Sequence, residues 1–145
     1  MAVLIKKIEL WRSEVPNQAG TLANILGPLA GAGADLRVVM GYRYPGNETK
    51  AAIEVFPIKG KKQVAAAQAA GLQLTSIPTL LIEGDNKPGL GSLIAQALAG
   101  AAINVNFLMA QVLGPKYSAI AGFENAEDAD KAVPLIKKAV SGRKK

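Results

Sequence analysis

The sequence predicts an α+β protein made of two ferredoxin-like βαββαβ modules in tandem, the second ending too soon after its helix for a full last strand. Three observations carry this expectation. The first is an internal repeat. Shifted by 69 positions without a gap, residues 14–40 overlie residues 83–109 with nine identities in 27 positions, among them Asn17/Asn86, Gly20/Gly89, Ile25/Ile94, Leu29/Leu98 and Met40/Met109. Internal repetition defines the building unit before any local reading. The second is that each half runs through the same patterns: a strand, an apolar run at helical spacing, two strands joined by a Gly/Pro turn, and a second helix. The third is size: 145 residues, 50% of them hydrophobic, can bury a core of ordinary dimensions. The expected division is a first module over 1–77 and a second over 78–145.

Ile8, Leu10, Trp11 and Arg12 read as the end of a strand that begins near Val3. The run Pro16-Asn17-Gln18-Ala19-Gly20 breaks it, Leu22, Ile25, Leu26 and Leu29 then recur at helical spacing, and Ala32-Gly33 closes that segment. Gly27 and Pro28 inside the helix predict a kink or a shortened first half. Residues 36–44 are rich in Val and aromatics and read as a strand. Pro45 and Gly46 then sit where a type II turn wants them, and residues 51–58 return as the partner strand. A second helix over 61–70 stops at Gly71, residues 72–77 read as a strand, and Pro78 separates them from the strand at 79–83. The second pass has its loop at Asp85-Asn86-Lys87-Pro88-Gly89, a helix over 90–101, strands over 103–113 and 117–123, and a last helix from Asn125 or Ala126 to Val140. Acidic Glu127, Asp128 and Asp130 open that helix and Lys137 and Lys138 close it, as its dipole prefers. For the missing edge of the second sheet the N-terminal segment, Ala2 to Lys7, is the candidate.

The net charge of +6 and pI near 9.7 invite a polyanion partner. The cations fall elsewhere: on a tail (Arg143, Lys144, Lys145), at a helix end (Lys137, Lys138) and around a turn (Lys59, Lys61, Lys62), which is the distribution of solvated ends. No apolar run reaches the 18 residues a bilayer span needs, and residues 1–14, charged at Lys6, Lys7 and Glu9, do not read as a secretory signal. The absence of Cys rules out disulfides and thiolate chemistry and fits a cytoplasmic setting. With no His either, the chain lacks the commonest general base and the usual transition-metal ligands. The cluster Glu124, Glu127, Asp128 and Asp130 reads as a solvated helix start, and the glycines of Gly31-Ala32-Gly33 and Gly89-Leu90-Gly91 lack the rest of a phosphate loop. No catalytic residue, metal site or cofactor is expected, and the protein does not read as an enzyme.

The repeated loop points to binding. In both copies a strand ends, Asn follows, and three residues later Gly opens a helix: Asn17 to Gly20 and Asn86 to Gly89. Unpaired N–H groups beside an amide side chain favour a carboxylate or phosphate. Asn86-Lys87-Pro88-Gly89-Leu90, an apolar helix and then Ala102-Ile103-Asn104-Val105 resemble the signature of the ACT domain. The first copy is similar but degenerate, with Ala19 in place of Pro and Ala34-Asp35-Leu36 in place of the Ile-Asn step. The resemblance covers nearly the whole chain as two tandem modules. It implies regulatory binding of small ligands, usually amino acids, between modules that pair their sheets side by side. Carried over by position, it implicates Asn17, Gly20 and Thr21 with Asp35 and Leu36 in the first copy. In the second it implicates Asn86, Gly89 and Leu90 with Asn104 and Val105. An Asn amide and helix N–H groups would hold the carboxylate, and Asp35 or a strand carbonyl the ammonium.

Trp11, Tyr42 and Tyr44 read as core or interface aromatics in preference to a base-stacking platform, and Met40 and Met109 as core. The expectation is therefore an amino-acid-binding sensor, a homodimer acting through ligand-dependent association of modules or subunits, with no membrane or nucleic-acid partner. The alternatives are a basic nucleic-acid-binding ferredoxin-like module, which a continuous basic stripe across sheet aromatics would favour, and a scaffold with vestigial pockets.

Overall fold

The computed structural model describes residues 3–141. The cationic tail Arg143, Lys144 and Lys145, and Ala2 of the expected edge strand, lie outside the described residues. In chain order the elements are β1 (Val3–Ile8), β2 (Trp11–Pro16), α1 (Thr21–Gly31), β3 (Val38–Tyr44), β4 (Asn47–Phe56), α2 (Gly60–Ala69), β5 (Gln73–Leu74), β6 (Thr79–Asp85), α3 (Leu90–Gly100), β7 (Val105–Leu113), β8 (Lys116–Phe123) and α4 (Ala126–Val140). They form two compact units. Glu9–Ser76 is the first module, and the described residues on either side of it make the second.

The first module is βαββαβ, with a four-stranded antiparallel sheet in the order β3-β4-β2-β5. Its last strand is shorter than the stretch 72–77 suggests: only Gln73 and Leu74 pair, after which the Thr75 N–H donates to the Leu10 carbonyl at 2.9 Å. The second module is also four-stranded, in the order β1-β6-β8-β7. Its fourth strand comes from the start of the chain, where β1 runs antiparallel to β6 with Val3 opposite Gly84 and Ile8 opposite Thr79.

Two expectations are corrected here. The residues around Ile8 to Arg12 are not one strand but the end of β1 and the start of β2, interrupted at Glu9 and Leu10 and paired in different sheets. Residues 3–8 fill the edge for which the N-terminal segment is the candidate, so they belong with the second module, not with 9–77, and the second sheet is complete. An apolar run shows that a segment extends; it carries no mark of which edge it will pair with.

Each sheet packs helices on one face. In the second module Leu80 and Ile82 of β6 and Ala119, Ala121 and Phe123 of β8 meet Leu90, Ile94 and Leu98 of α3 and Ala129, Ala132, Ile136 and Val140 of α4. In the first, Val15, Ile53 and Val55 meet Ile25 and Leu29 of α1 and Ala67 of α2, with Leu72 following α2. The alternation of in-facing residues along the strands and the i, i+4 spacing along the helices are the two periods that wrote these cores into the sequence. Helix α1 runs unbroken through Gly27 and Pro28, both exposed, instead of stopping at them. The Asn125 side chain caps α4, accepting from the Asp128 N–H at 2.7 Å. Met40 and Met109 are half-buried and lie outside both cores.

One packing feature supports a sharp test. Gly122 lies between Phe107 on β7 and Thr79 on β6, and a Cβ built on it would stand 2.1 Å from a carbon of the Phe107 ring. Gly122→Val is expected to lose about 1–3 kcal/mol through overpacking. In a Phe107→Ala background most of that loss should disappear, which a double-mutant cycle in urea would read directly. Equal losses in both backgrounds would mean that something other than the ring sets the requirement for glycine.

Candidate ligand-binding site

The repeat seen in the sequence is a repeat of geometry. At the end of β2 the Asn17 N–H donates to the Thr49 carbonyl at 2.9 Å. At the end of β6 the Asn86 N–H donates to the Pro115 carbonyl at 2.9 Å, so each Asn ties its loop to the adjacent hairpin. Three residues on, Gly20 (φ 91°) and Gly89 (φ 85°) are both left-handed, a conformation that costs an L side chain about 1–2 kcal/mol. The ladders of α1 and α3 then begin identically, from Asn24 to the Gly20 carbonyl and from Leu93 to the Gly89 carbonyl, each at 3.0 Å. Neither helix has a side-chain cap; the Thr21 and Leu90 N–H groups turn back to the Gln18 and Lys87 carbonyls at 3.4 and 3.3 Å, and the remaining first-turn N–H groups have no capping side chain.

The helix exits repeat as well. Gly33 and Ala102, related by the same shift, are both left-handed, and the next residue of each donates back to Leu29 or Leu98 at 3.0 and 2.9 Å. Ala102 is the only non-glycine residue with positive φ among the described residues.

The expected site residues separate into two groups. Asn17, Gly20 and Thr21 lie at the N-terminal end of α1, and Asp35 and Leu36 beyond its C-terminal end. Eleven helical residues, about 16 Å, stand between them. Asn86, Gly89 and Leu90 are separated from Asn104 and Val105 by α3 in the same way. Within neither module do the two groups converge. The Leu90 side chain is buried in the core and its N–H donates to the Lys87 carbonyl at 3.3 Å, and Leu36 packs against the first core. The Asn17 amide is partly engaged, donating from Nδ2 to the Glu48 carbonyl at 2.8 Å, while the Thr21 hydroxyl donates to the Pro16 carbonyl at 3.2 Å.

What lies beside the first loop is the far end of β3. The pairing makes β3 parallel in direction to β2, both antiparallel to β4, so Gly41, Tyr42 and Arg43 arrive at the end of the sheet where α1 begins. Together with Val15, Asn17, Gln18, Thr21, Leu22 and Ile53 they line a groove of about 240 Å³. Sequence reasoning missed Gly41 and Arg43. A glycine in an otherwise bulky strand was the available signal, since it marks a place where something approaches the backbone.

The opposite face of this sheet is polar. The Tyr42 hydroxyl donates to Glu54 Oε2 at 2.7 Å, Arg12 Nε lies 3.8 Å from the same oxygen, and Arg12 also donates to the Tyr44 hydroxyl and stacks over its ring. Burial, and then the hydrogen bond to Glu54, push the Tyr42 hydroxyl up, so it stays a donor. Burial works against the Arg12 charge, but the bonds to Tyr42 and Tyr44 prevail and its pKa is raised. The hydrogen bond with Tyr44, followed by the charge of Lys50 3.5 Å away, lowers the pKa of Glu14. Trp11, by contrast, packs against the core on the helix side. The three aromatics therefore share no stacking surface, and two of them sit among carboxylates. Among the described residues no group of three Asp, Glu, His or Cys side chains gathers as a metal would require.

No family model matches this sequence, and no curated protein matches it either. Solved structures do. A protein of Bacteroides thetaiotaomicron matches over 94% of this chain and 89% of its own, at TM-score 0.72 and 14% identity. The ligand-free regulatory subunit of aspartate kinase from Thermus thermophilus matches over 95% and 96%, at TM-score 0.65 and 20% identity. A putative C-terminal regulatory domain of aspartate kinase from Porphyromonas gingivalis matches over 97% of both chains, at TM-score 0.59 and 16% identity. This chain has the tandem ACT fold.

The two ACT modules are not equivalent. Where the first pairs Arg12 with Glu54 across β2 and β4, the second pairs Leu81 with Ile120 across β6 and β8. Where the first ACT module has Gly41 and Arg43 at the end of β3, the matching positions of the second are Ala110 and Val112. The likeness to the solved structures is one of fold, so chemistry has to be argued from these residues.

Proposed function

We propose that this chain is a regulatory protein, not an enzyme, that binds an amino acid and acts through ligand-dependent association of its modules or subunits. The observation that carries the reading is the duplicated loop-to-helix turn. Two left-handed glycines, each after an anchored Asn, present uncapped helix N-termini at exposed loops. Gly20 and Gly89 through their N–H groups, with the side-chain amides of Asn17 and Asn86, would donate to a carboxylate, whereas the Thr21 and Leu90 N–H groups already reach the Gln18 and Lys87 carbonyls. Asp35, Leu36, Asn104 and Val105, at the far helix ends, would complete a site in a second copy of the chain. The regulatory subunit and domain among the structural matches support the regulatory part of the reading.

A homodimer would suit the edges. Strand β7 has nine residues without a charge or proline and exposes Leu108, Val112 and Leu113, whereas the other edge of its sheet carries Lys6 and Lys7. A long uncharged edge invites pairing with a second copy. No helix among the described residues is long and apolar enough to cross a membrane, and a cytoplasmic location fits the cysteine-free composition.

A thermal-shift screen against the twenty amino acids, with a nonspecific oligonucleotide as comparator, tests the reading. One amino acid is expected to stabilise the fold, by about 2.7 kcal/mol at a hundred times its Kd, and Asn86→Ala should reduce that shift. Stabilisation by the oligonucleotide alone would replace the sensor with a nucleic-acid-binding protein. Silence from both would favour a scaffold.

A further inference from the structure

We infer that the groove of the first module binds a small carboxylic acid with an apolar tail, its carboxylate held by Arg43. The inference rests on the ligand-binding reading above and names the ligand class and the module. Arg43 is the one charged residue in the lining, it is exposed, and its side chain makes no hydrogen bond or ion pair with any described residue. No carboxylate lines the groove, so a cationic head has no counter-charge there. A free guanidinium beside an apolar floor is matched by a carboxylate, which it can grip through two parallel hydrogen bonds. The floor is supplied by Val15 and Ile53, with Leu22 exposed beside them. Gly41 keeps the space open: nothing lies within 4 Å of where its Cβ would stand. At about 240 Å³ the groove falls below the range of roughly 300–1,000 Å³ typical of drug-sized ligands, so the tail is a few carbons or a single ring.

The second module has neither feature. Ala110 stands where the first has Gly41, Val112 where it has Arg43, and the residue matching Thr21 is the buried Leu90. Recognition of a carboxylate by a guanidinium therefore belongs to the first module alone. An ammonium in the groove would meet only neutral oxygens, such as those of Asn17 and Gln18, so the carboxylate and the tail carry most of the affinity.

Calorimetric titration of the full chain with leucine, phenylalanine, 4-methylpentanoate (the leucine skeleton without its ammonium) and leucinol (without its carboxylate) tests this. Binding of leucine or phenylalanine is expected. Loss of the ammonium should weaken binding by less than about tenfold and loss of the carboxylate by more. Arg43→Gln should weaken it by more than about tenfold, and Gly41→Val should abolish it by filling the groove while leaving the unfolding midpoint unchanged. Wild-type affinity in both variants, with loss in Asn86→Ala, would overturn the inference and leave the amino-acid reading standing. Binding of charged amino acids only would overturn the ligand class. If no amino acid binds but 4-methylpentanoate does, through Arg43, the groove stands and the amino-acid reading falls.

Discussion

Phe123→Ala is expected to destabilise the second module by about 3–5 kcal/mol, against a total of about 5–15 for an ordinary domain. Phe123 is fully buried at the end of β8, and its N–H donates to the Pro78 carbonyl at 2.8 Å, which fixes the backbone there. The cost of such a deletion depends on how far the site can collapse. Much of the surrounding core is alanine, with Ala119 and Ala121 on β8 and Ala129 and Ala132 on α4. Alanine has no rotamers with which to refill a hole, so α4 would have to move as a body. Urea denaturation followed by far-UV circular dichroism should show the loss. The single tryptophan, Trp11, lies in the other module and gives that module its own signal. A Trp11 transition that stays in place while the dichroism shifts would mean the modules unfold separately, and one that moves with it would mean they unfold together. A loss below about 1 kcal/mol would contradict the packing described here, since it would require the core to close over the gap.

The sequence made the repeating unit legible because its marks are local. Gly20 and Gly89 are glycine for a left-handed cap, the apolar spacing of Ile25, Leu29, Ile94 and Leu98 faces two cores, and Gly46 and Gly114 turn two hairpins. What stayed hidden depends on pairing across the chain. The N-terminal segment is the candidate for the open edge of the second sheet, and β1 fills it; what is not visible is that the chain breaks at Glu9 and Leu10 and changes sheet there, since a β-run carries no address. The candidate site divided along the same line. The loop residues were visible as a motif, but the groove is made by β3 arriving parallel to β2, which brings Arg43 to Thr21 across more than twenty residues of sequence. The resemblance to ACT domains supplied the far group, Asp35, Leu36, Asn104 and Val105, and the helix lengths show that these cannot meet the near group inside one module.

The internal repeat also predicts the outcome of a double substitution. Arg12→Ala alone should cost about 2–3 kcal/mol, below the 3–5 of a fully buried pair because Arg12 is one-third exposed. It leaves the Glu54 carboxylate, only 3% exposed, with the Tyr42 hydroxyl on one oxygen and nothing on the other, since Oε1 already lacks a partner. Arg12→Leu combined with Glu54→Ile recreates the pair Leu81–Ile120 that the second module places at the same register. Apolar residues of similar volume commonly match or exceed a buried ion pair, because desolvation offsets most of the attraction between charges. The double variant should therefore be at least as stable as the wild type, and the cycle should show a coupling of about 1–3 kcal/mol. The expected sign comes from the chain itself, which has folded the same strand pair with both solutions. Additive losses would mean that Tyr42 and Tyr44, which have Gln111 and Leu113 as counterparts, make the polar arrangement a unit that cannot be exchanged one pair at a time. Adding Tyr42→Gln and Tyr44→Leu would then be the variant that restores stability.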